Sequence, residues 1–195
     1  MDTTEYIRDL VTRFRKVLDE RSKQLECFCR YGVQVEGWLK GELLFFFDSE
    51  KAAGRLVNVD REVQLGAGPG KKRVDFRLEI PVGVAILDAW IEVKHWLIGH
   101  QKGSKYNAVF YFGDVSSVGI KPAVETLTKV RRGSKYLLVL ATANPAEDDW
   151  SNGVTKFNDK FPHLHLKALT NPTEFPKSYF LGLLEFSPNA QRQSS

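Results

Sequence analysis

The stretch "RVDFRLEI", residues 73–80, sets Val74, Phe76, Leu78 and Ile80 in strict alternation with Arg73, Asp75, Arg77 and Glu79. A period of two belongs to a strand with one apolar and one polar face, and it is incompatible with a helix. A second strand-like run, "ILDAWIEVKHW" (86–96), follows after "PVG", which is too short for anything but a reversal of direction. Upstream, across the glycine-rich "GAGPGKK", lies "GRLVNVDREVQL". Three strands joined so closely are predicted to form an antiparallel meander over about 55–65, 73–80 and 86–96.

Around the meander the pattern is mostly helical. Tyr6, Leu10, Phe14, Val17, Leu18 and Leu25 predict a helix over about 4–28, which Gly32 terminates. Leu39, Leu43 and Phe46 predict a second over about 36–48, with Glu42 on the same stripe, where a carboxylate without a partner is costly. "QKGSKYNAVFYF" suits helix or strand. Residues 121–132 read as a helix with Pro122 in its first turn and Gly133 after it. "KYLLVLATA" (135–143) is apolar throughout, as a central buried strand is. A short helix to about Lys160 and two strand-like runs, "HLHLKAL" and "SYFLGLLEF", complete the chain. A helix between the third and fourth strands makes a crossover, so the expected sheet is mixed and the class is α/β or α+β. One domain is expected over 1–188, with 189–195 a disordered tail.

Of the 195 residues only Cys27 and Cys29 are cysteines, too close for a comfortable disulfide and without the further Cys/His pair of a zinc site. Reduced thiols fit a cytoplasmic protein. The acidic, amphipathic start "MDTTEYIRDL" does not read as a secretory signal, and the longest bulky apolar run, Leu43–Phe47, is too short to cross a membrane. The net charge of +4 is unevenly spread. Between Gly99 and Lys135, seven basic residues (Lys102, Lys105, Lys121, Lys129, Arg131, Arg132 and Lys135) face only Asp114 and Glu125, which makes that segment +5. Such a stretch suits a polyanion partner or an ordinary solvated surface.

The chemistry concentrates on strands two and three. Asp75 and Glu92 project from the same region if the strands are neighbours, and Lys94 follows Glu92 on its face. Two converging carboxylates repel each other, and a divalent cation removes the conflict; hard oxygen ligands favour Mg²⁺ or Mn²⁺. Lys94 is then placed to hold a water or to stabilise charge developing on a phosphate. The plain alternative is a polar sheet face of cross-strand ion pairs.

"VDF" on one strand followed by "IEVK" on the next resembles the pattern of the PD-(D/E)xK nuclease superfamily, also called restriction-endonuclease-like. The helix "WLKGELL" before them, and the helix and apolar strand after them, resemble that family's α-β-β-β-α-β core over about 36–144, leaving the N-terminal helix and a C-terminal α-β-β stretch as additions. Val74 stands where the family often has proline. The resemblance implies an Mg²⁺-dependent endonuclease acting on DNA, with Mn²⁺ able to substitute. Asp75, Glu92 and the backbone carbonyl of Val93 would hold the metal, Lys94 would be the catalytic lysine, and Glu42 would be the supporting acid of the helix, a role open also to Glu36 and Glu62. Lys71, Lys72, Lys102, Lys105 and Lys121 would meet the DNA backbone, and a homodimer is common in such families. A non-catalytic nucleic-acid-binding or interaction module on the same fold is the alternative.

Other motifs carry less. "GAGPGKK" departs from a phosphate-binding loop, with Leu65 where a glycine belongs and Lys72 where Ser or Thr belongs, and it joins two strands. His163 and His165 are expected to alternate on one strand face as a surface pair. Glu62 is expected to pair with a neighbouring Arg or Lys. His95 should point away from Glu92 and Lys94, while Trp90 and Trp96 should share their face as packing.

Overall fold

The computed structural model describes residues 2–66, 71–98, 108–113, 119–175 and 178–187. Asp2 and Glu5 start helix α1 (Thr3–Glu20) as a reciprocal cap. Asp2 Oδ1 accepts from the Glu5 N–H at 2.8 Å, and Glu5 Oε2 accepts from the Asp2 N–H at 3.0 Å. The single helix expected over 4–28 is in fact two. The Arg21 N–H turns to the Leu18 carbonyl at 2.9 Å, and α2 (Ser22–Tyr31) resumes after that break until Gly32, at φ 63°, caps it. Helix α3 (Glu36–Ala52) runs a turn beyond its expected end.

The meander forms as the alternation predicts. Strands β1 (Asn58–Leu65), β2 (Lys72–Val82) and β3 (Ala85–Leu97) pair antiparallel in that order. Residues 67–70 of the glycine-rich turn lie outside the described residues, but Leu65 pairs with Lys72 as a hairpin requires. Short helices α4 (Ala108–Tyr111) and α5 (Lys121–Leu127) lead to β4 (Ser134–Thr142), which lies parallel to β3. This is the expected crossover. Helix α6 (Glu147–Lys160) precedes β5 (Leu166–Ala168) and β6 (Phe180–Phe186), and the sheet order is β1-β2-β3-β4-β6-β5. The class is mixed α/β. His163 lies in a 3-10 turn, Pro162–Leu164, so it does not alternate with His165 on a strand; β5 starts only at Leu166, whose N–H is taken by the Asn158 side chain at 2.8 Å. The tail from 188 onward lies outside the described residues.

Each face of the sheet carries its own core. Leu10, Phe14 and Leu18 of α1 and Leu39, Leu43 and Phe47 of α3 pack on Phe76, Leu78, Ile80, Ile91 and Leu138. On the other face, Val124 and Leu127 of α5 and Trp150 and Phe157 of α6 pack on Trp96, Leu137, Val139 and Phe180. β4 is buried on both sides, which is why its sequence is continuously apolar. Each large aliphatic or aromatic side chain so buried contributes about 2 kcal/mol. No described helix is long and apolar enough to cross a membrane.

One carboxylate ties the helical layer together. Glu50 of α3, 3% exposed, accepts from Arg13 Nε of α1 at 3.0 Å and from Arg55 Nε and Nη2 at 2.8 and 2.7 Å. The Arg55 hydrogen bonds, joined by the charge of Arg13, hold its carboxyl below the ordinary range against the opposing effect of burial. Arg55 is half exposed, so water screens part of the pair. Glu50→Gln is expected to lower stability by about 2 kcal/mol at neutral pH. The contribution of a depressed carboxyl is complete above its unfolded pKa, near 4.3, and fades as pH falls through the lower folded value. The gap between wild type and variant in denaturant midpoint should therefore shrink steadily below about pH 4; a gap that stays constant there would mean the carboxylate charge is not its source.

Candidate active site

Strands β2 and β3 part at one point. Their ladder runs from Val82 opposite Ala85 to Phe76 opposite Ile91, and the next positions in line are Asp75 and Glu92. β3 is laddered to β4 on its other edge, from Ala89 opposite Ser134 to Leu97 opposite Thr142, and beyond the parting point β2 is laddered only to β1. The β1–β2 ladder also skips Asp75, passing from Arg61–Phe76 to Val63–Val74. The residue skipped on β1, Glu62, has φ 52°, a conformation that costs a non-glycine residue on the order of 1 kcal/mol. The alternation resets there as well. Phe76, Leu78 and Ile80 join the core under α1 and α3, whereas Val74 joins the one under α5 and α6.

This fork gives Asp75 its partners. Asp75 Oδ2 accepts the Val93 N–H at 2.8 Å, and Oδ1 meets Lys40 Nζ at 2.8 Å. A strand residue projects its N–H and C=O toward the same edge, so the Val93 carbonyl also turns to the fork. Lys40 Nζ also meets Glu36 Oε1, one helical turn earlier on α3, at 2.8 Å. Glu36 in turn receives Lys94 Nζ at 3.4 and 3.5 Å. Lys94, Glu36, Lys40 and Asp75 thus form one connected series of ion pairs, with Glu92 against Asp75.

Glu92 is 6% exposed. Burial pushes its carboxyl far up, to about 9, and the charge of Asp75 and a hydrogen bond to it push the same way, against Lys94 and Lys40. Glu92 is therefore protonated at neutral pH and donates to Asp75. Burial works to raise Glu36 too, but there the hydrogen bond and charge from Lys40, with Lys94, prevail and hold it low. Burial opposes the charge on Lys40, yet Asp75 and Glu36 together raise its pKa. The two lysines balance the two ionised carboxylates.

Asp75, Glu92 and Lys94 are brought together where the strand pattern placed them. Of the helix carboxylates, Glu36 joins this series and Glu42 does not. Glu42 faces Arg21, at the break between α1 and α2, at 3.8 Å. Its place on the apolar stripe is explained by that partner and has no bearing on the fork. Glu62 pairs with Arg61 at 3.1 Å and Arg73 at 3.3 Å, as expected. His95 lies on the opposite face, with Nδ1 2.8 Å from Gln34 Oε1 and Nε2 2.9 Å from Thr142 Oγ1; burial lowers its pKa to about 4, so it stays neutral. Trp96 shares the core on Lys94's side of the sheet and stacks on Tyr111 of α4, centroids 4.9 Å apart and planes within 8°. The Tyr111 hydroxyl is buried without a hydrogen-bond partner among the described residues, and burial, together with the charge of Glu36, raises its pKa.

Sequence reasoning had no ground for Lys40 or Tyr111. The Glu36–Lys40 spacing is that of an ordinary helix-surface ion pair, and only the fold shows that Lys40 also reaches Asp75. Among the basic residues expected to meet DNA, Lys71 and Lys72 are exposed, and Lys71 Nζ lies 3.5 Å from Gln64. Lys121 is engaged with Glu125 at 3.8 Å and with the Phe161 ring at 4.8 Å. Lys102 and Lys105 lie outside the described residues.

Among the described residues no three His, Cys, Asp or Glu side chains gather to hold an ion, so a site closed by side chains alone is not built there. Two carboxylates and a carbonyl form a different donor set. They are hard oxygens, the donor type Mg²⁺ prefers. A carboxyl whose pKa is raised by burial and by a neighbouring carboxylate is the arrangement a cation would relieve. Comparison with known proteins finds no family model, no curated protein and no solved structure that matches the chain.

Because Glu92 donates to Asp75 as a neutral acid, Glu92→Gln should change the metal-free stability by less than about 1 kcal/mol. If the fork takes a cation, the same variant should lose Mn²⁺ binding measured by calorimetry. A large drop in melting temperature without metal would show that Glu92 is ionised instead.

Proposed function

We propose that the protein is an Mg²⁺-dependent endonuclease that hydrolyses phosphodiester bonds in DNA. The observation that carries the proposal is the meeting of Asp75 and Glu92 where β2 and β3 part, with Lys94 two residues on along β3. The order α3, β1, β2, β3, α4, α5, β4 agrees with a restriction-endonuclease-like core that carries one additional short helix, α4. Asp75, Glu92 and the Val93 carbonyl are the residues that would hold Mg²⁺, and Mn²⁺ should replace it. The bound ion supplies charge neutralisation at the phosphate and a more acidic water. Lys94 holds the attacking water or the developing charge on the phosphate. Glu36 positions Lys94, and Lys40 withdraws from Asp75 when the carboxylates take up a cation. DNA as partner and a reducing cytoplasm as compartment belong to the same proposal.

The lysine pairings also favour a second reading. Lys40 and Lys94 already neutralise the carboxylates, and a permanent ion-pair network of this kind suits a non-catalytic nucleic-acid-binding module. Cleavage of plasmid DNA in Mg²⁺ separates the two. Asp75→Ala should abolish it, and Lys94→Ala should reduce it at least about 100-fold, each with an unchanged circular dichroism spectrum. Glu36→Gln, acting through Lys94, should cost about 10- to 100-fold, while Glu42→Gln leaves the rate unchanged. Full activity in Asp75→Ala or Lys94→Ala would sink the mechanism, and no metal-dependent cleavage by wild type would leave the module.

A further inference from the structure

We infer that the groove between β3 and the turn leading into β4 seats the phosphodiester backbone beside the reacting bond, through Lys129, Arg131 and Arg132. The inference rests on the endonuclease proposal and adds to it a path for the substrate.

The groove encloses about 700 Å³, with Gln64, Leu65, Asp88 and Trp90 along one side and Lys129, Arg131 and Arg132 along the other. All three cations are exposed, and none has an ion pair among the described residues. The carboxylate of the groove, Asp88, is already committed, accepting from Arg77 Nε at 3.1 Å and Nη2 at 2.9 Å. Among the described residues, three positive charges within four residues thus lack an ion-pair partner at the groove, which matches a linear polyanion. Lys121, from the same basic segment, is paired elsewhere, so the fold selects which of those charges remain available.

Position links the groove to the fork. Trp90 precedes Glu92 by two residues, on the same face of β3, so the groove opens about 7 Å along the strand from the carboxylates. The rim is firmly mounted. Gly133 has φ 89°, and a Cβ there would lie 2.7 Å from the Asp88 carbonyl oxygen and 3.0 Å from Trp90 Nε1, so the turn rests directly on β3. The parallel pairing of Ala89 with Ser134 begins one residue later. The arginines are therefore presented by a fixed turn.

The test is duplex DNA binding by the full chain in EDTA, followed by anisotropy from about 50 to 200 mM salt, with Mg²⁺-dependent cleavage assayed in parallel. Wild type should bind, and Arg131→Ala/Arg132→Ala should flatten the slope of log K against log salt by about 1.8, roughly 0.9 for each phosphate no longer neutralised. Lys23→Ala/Arg30→Ala, exposed on α2, should leave the slope unchanged. The groove assignment falls if wild type binds and cleaves but the arginine variant keeps the full slope. It also falls if poly-glutamate binds as tightly as DNA through the same arginines, since the ligand would then be an acidic polypeptide. Absence of both binding and cleavage in wild type overturns the endonuclease proposal and the groove with it.

Discussion

The parting of β2 and β3 at Asp75 and Glu92 is the constraint on which the candidate site depends. β3 is laddered antiparallel to β2 over one half and parallel to β4 over most of its length. The sheet therefore loosens on the β2 side after Ile91, and two acidic side chains meet in the gap. Two unit charges at about 4 Å repel by about 4 kcal/mol near a protein surface, far more than an exposed ion pair returns. The conflict must be resolved locally. Two features answer it, the raised pKa of Glu92, which favours its neutral form, and Lys40 from α3 beside Asp75. Under the proposed function a divalent cation would take the place of both, and it is that exchange, more than the presence of acids, that makes the fork a candidate for metal chemistry.

The elements whose signal is periodic were readable from the chain. Alternation located β2 and β3 and put Asp75, Glu92 and Lys94 on them, and the unbroken apolar run located β4 as an interior strand. What failed did so where a long-range partner decides. The α1–α2 break carries no glycine or proline; Arg21 sits there and answers Glu42 across the helices. Glu42 on an apolar stripe looked like a site residue because a helical wheel shows only that a carboxylate is inward, not which cation receives it. Glu36 was one of three candidate acids with nothing in the chain to single it out, and Lys40 carried no signal because its further partner, Asp75, is 35 residues further along the chain. Tyr111 came from a stretch whose pattern suits two structures equally, so its place beside Glu36 had no signal at all.

The same two strands also show what an ordinary polar face looks like. Arg77, two residues from Asp75, reaches Asp60 on β1 at 3.1 Å, Glu79 on its own strand at 2.9 Å and Asp88 on β3 at 2.9 Å, and lies over Trp90. Its partners all come from the sheet, they are partly solvated, and the ladder there is regular on both sides. That cluster is cross-strand ion pairing and needs no further function. At Asp75 each of these conditions is reversed. The ladder is interrupted on both sides, the ion pair comes from a helix, and the nearest carboxyl is buried and un-ionised. A generic polar sheet face therefore accounts for Arg77 and leaves Asp75 unexplained. The strain at Glu62, directly across β1, marks the same point, because a regular ladder there would tie down the backbone that the fork displaces.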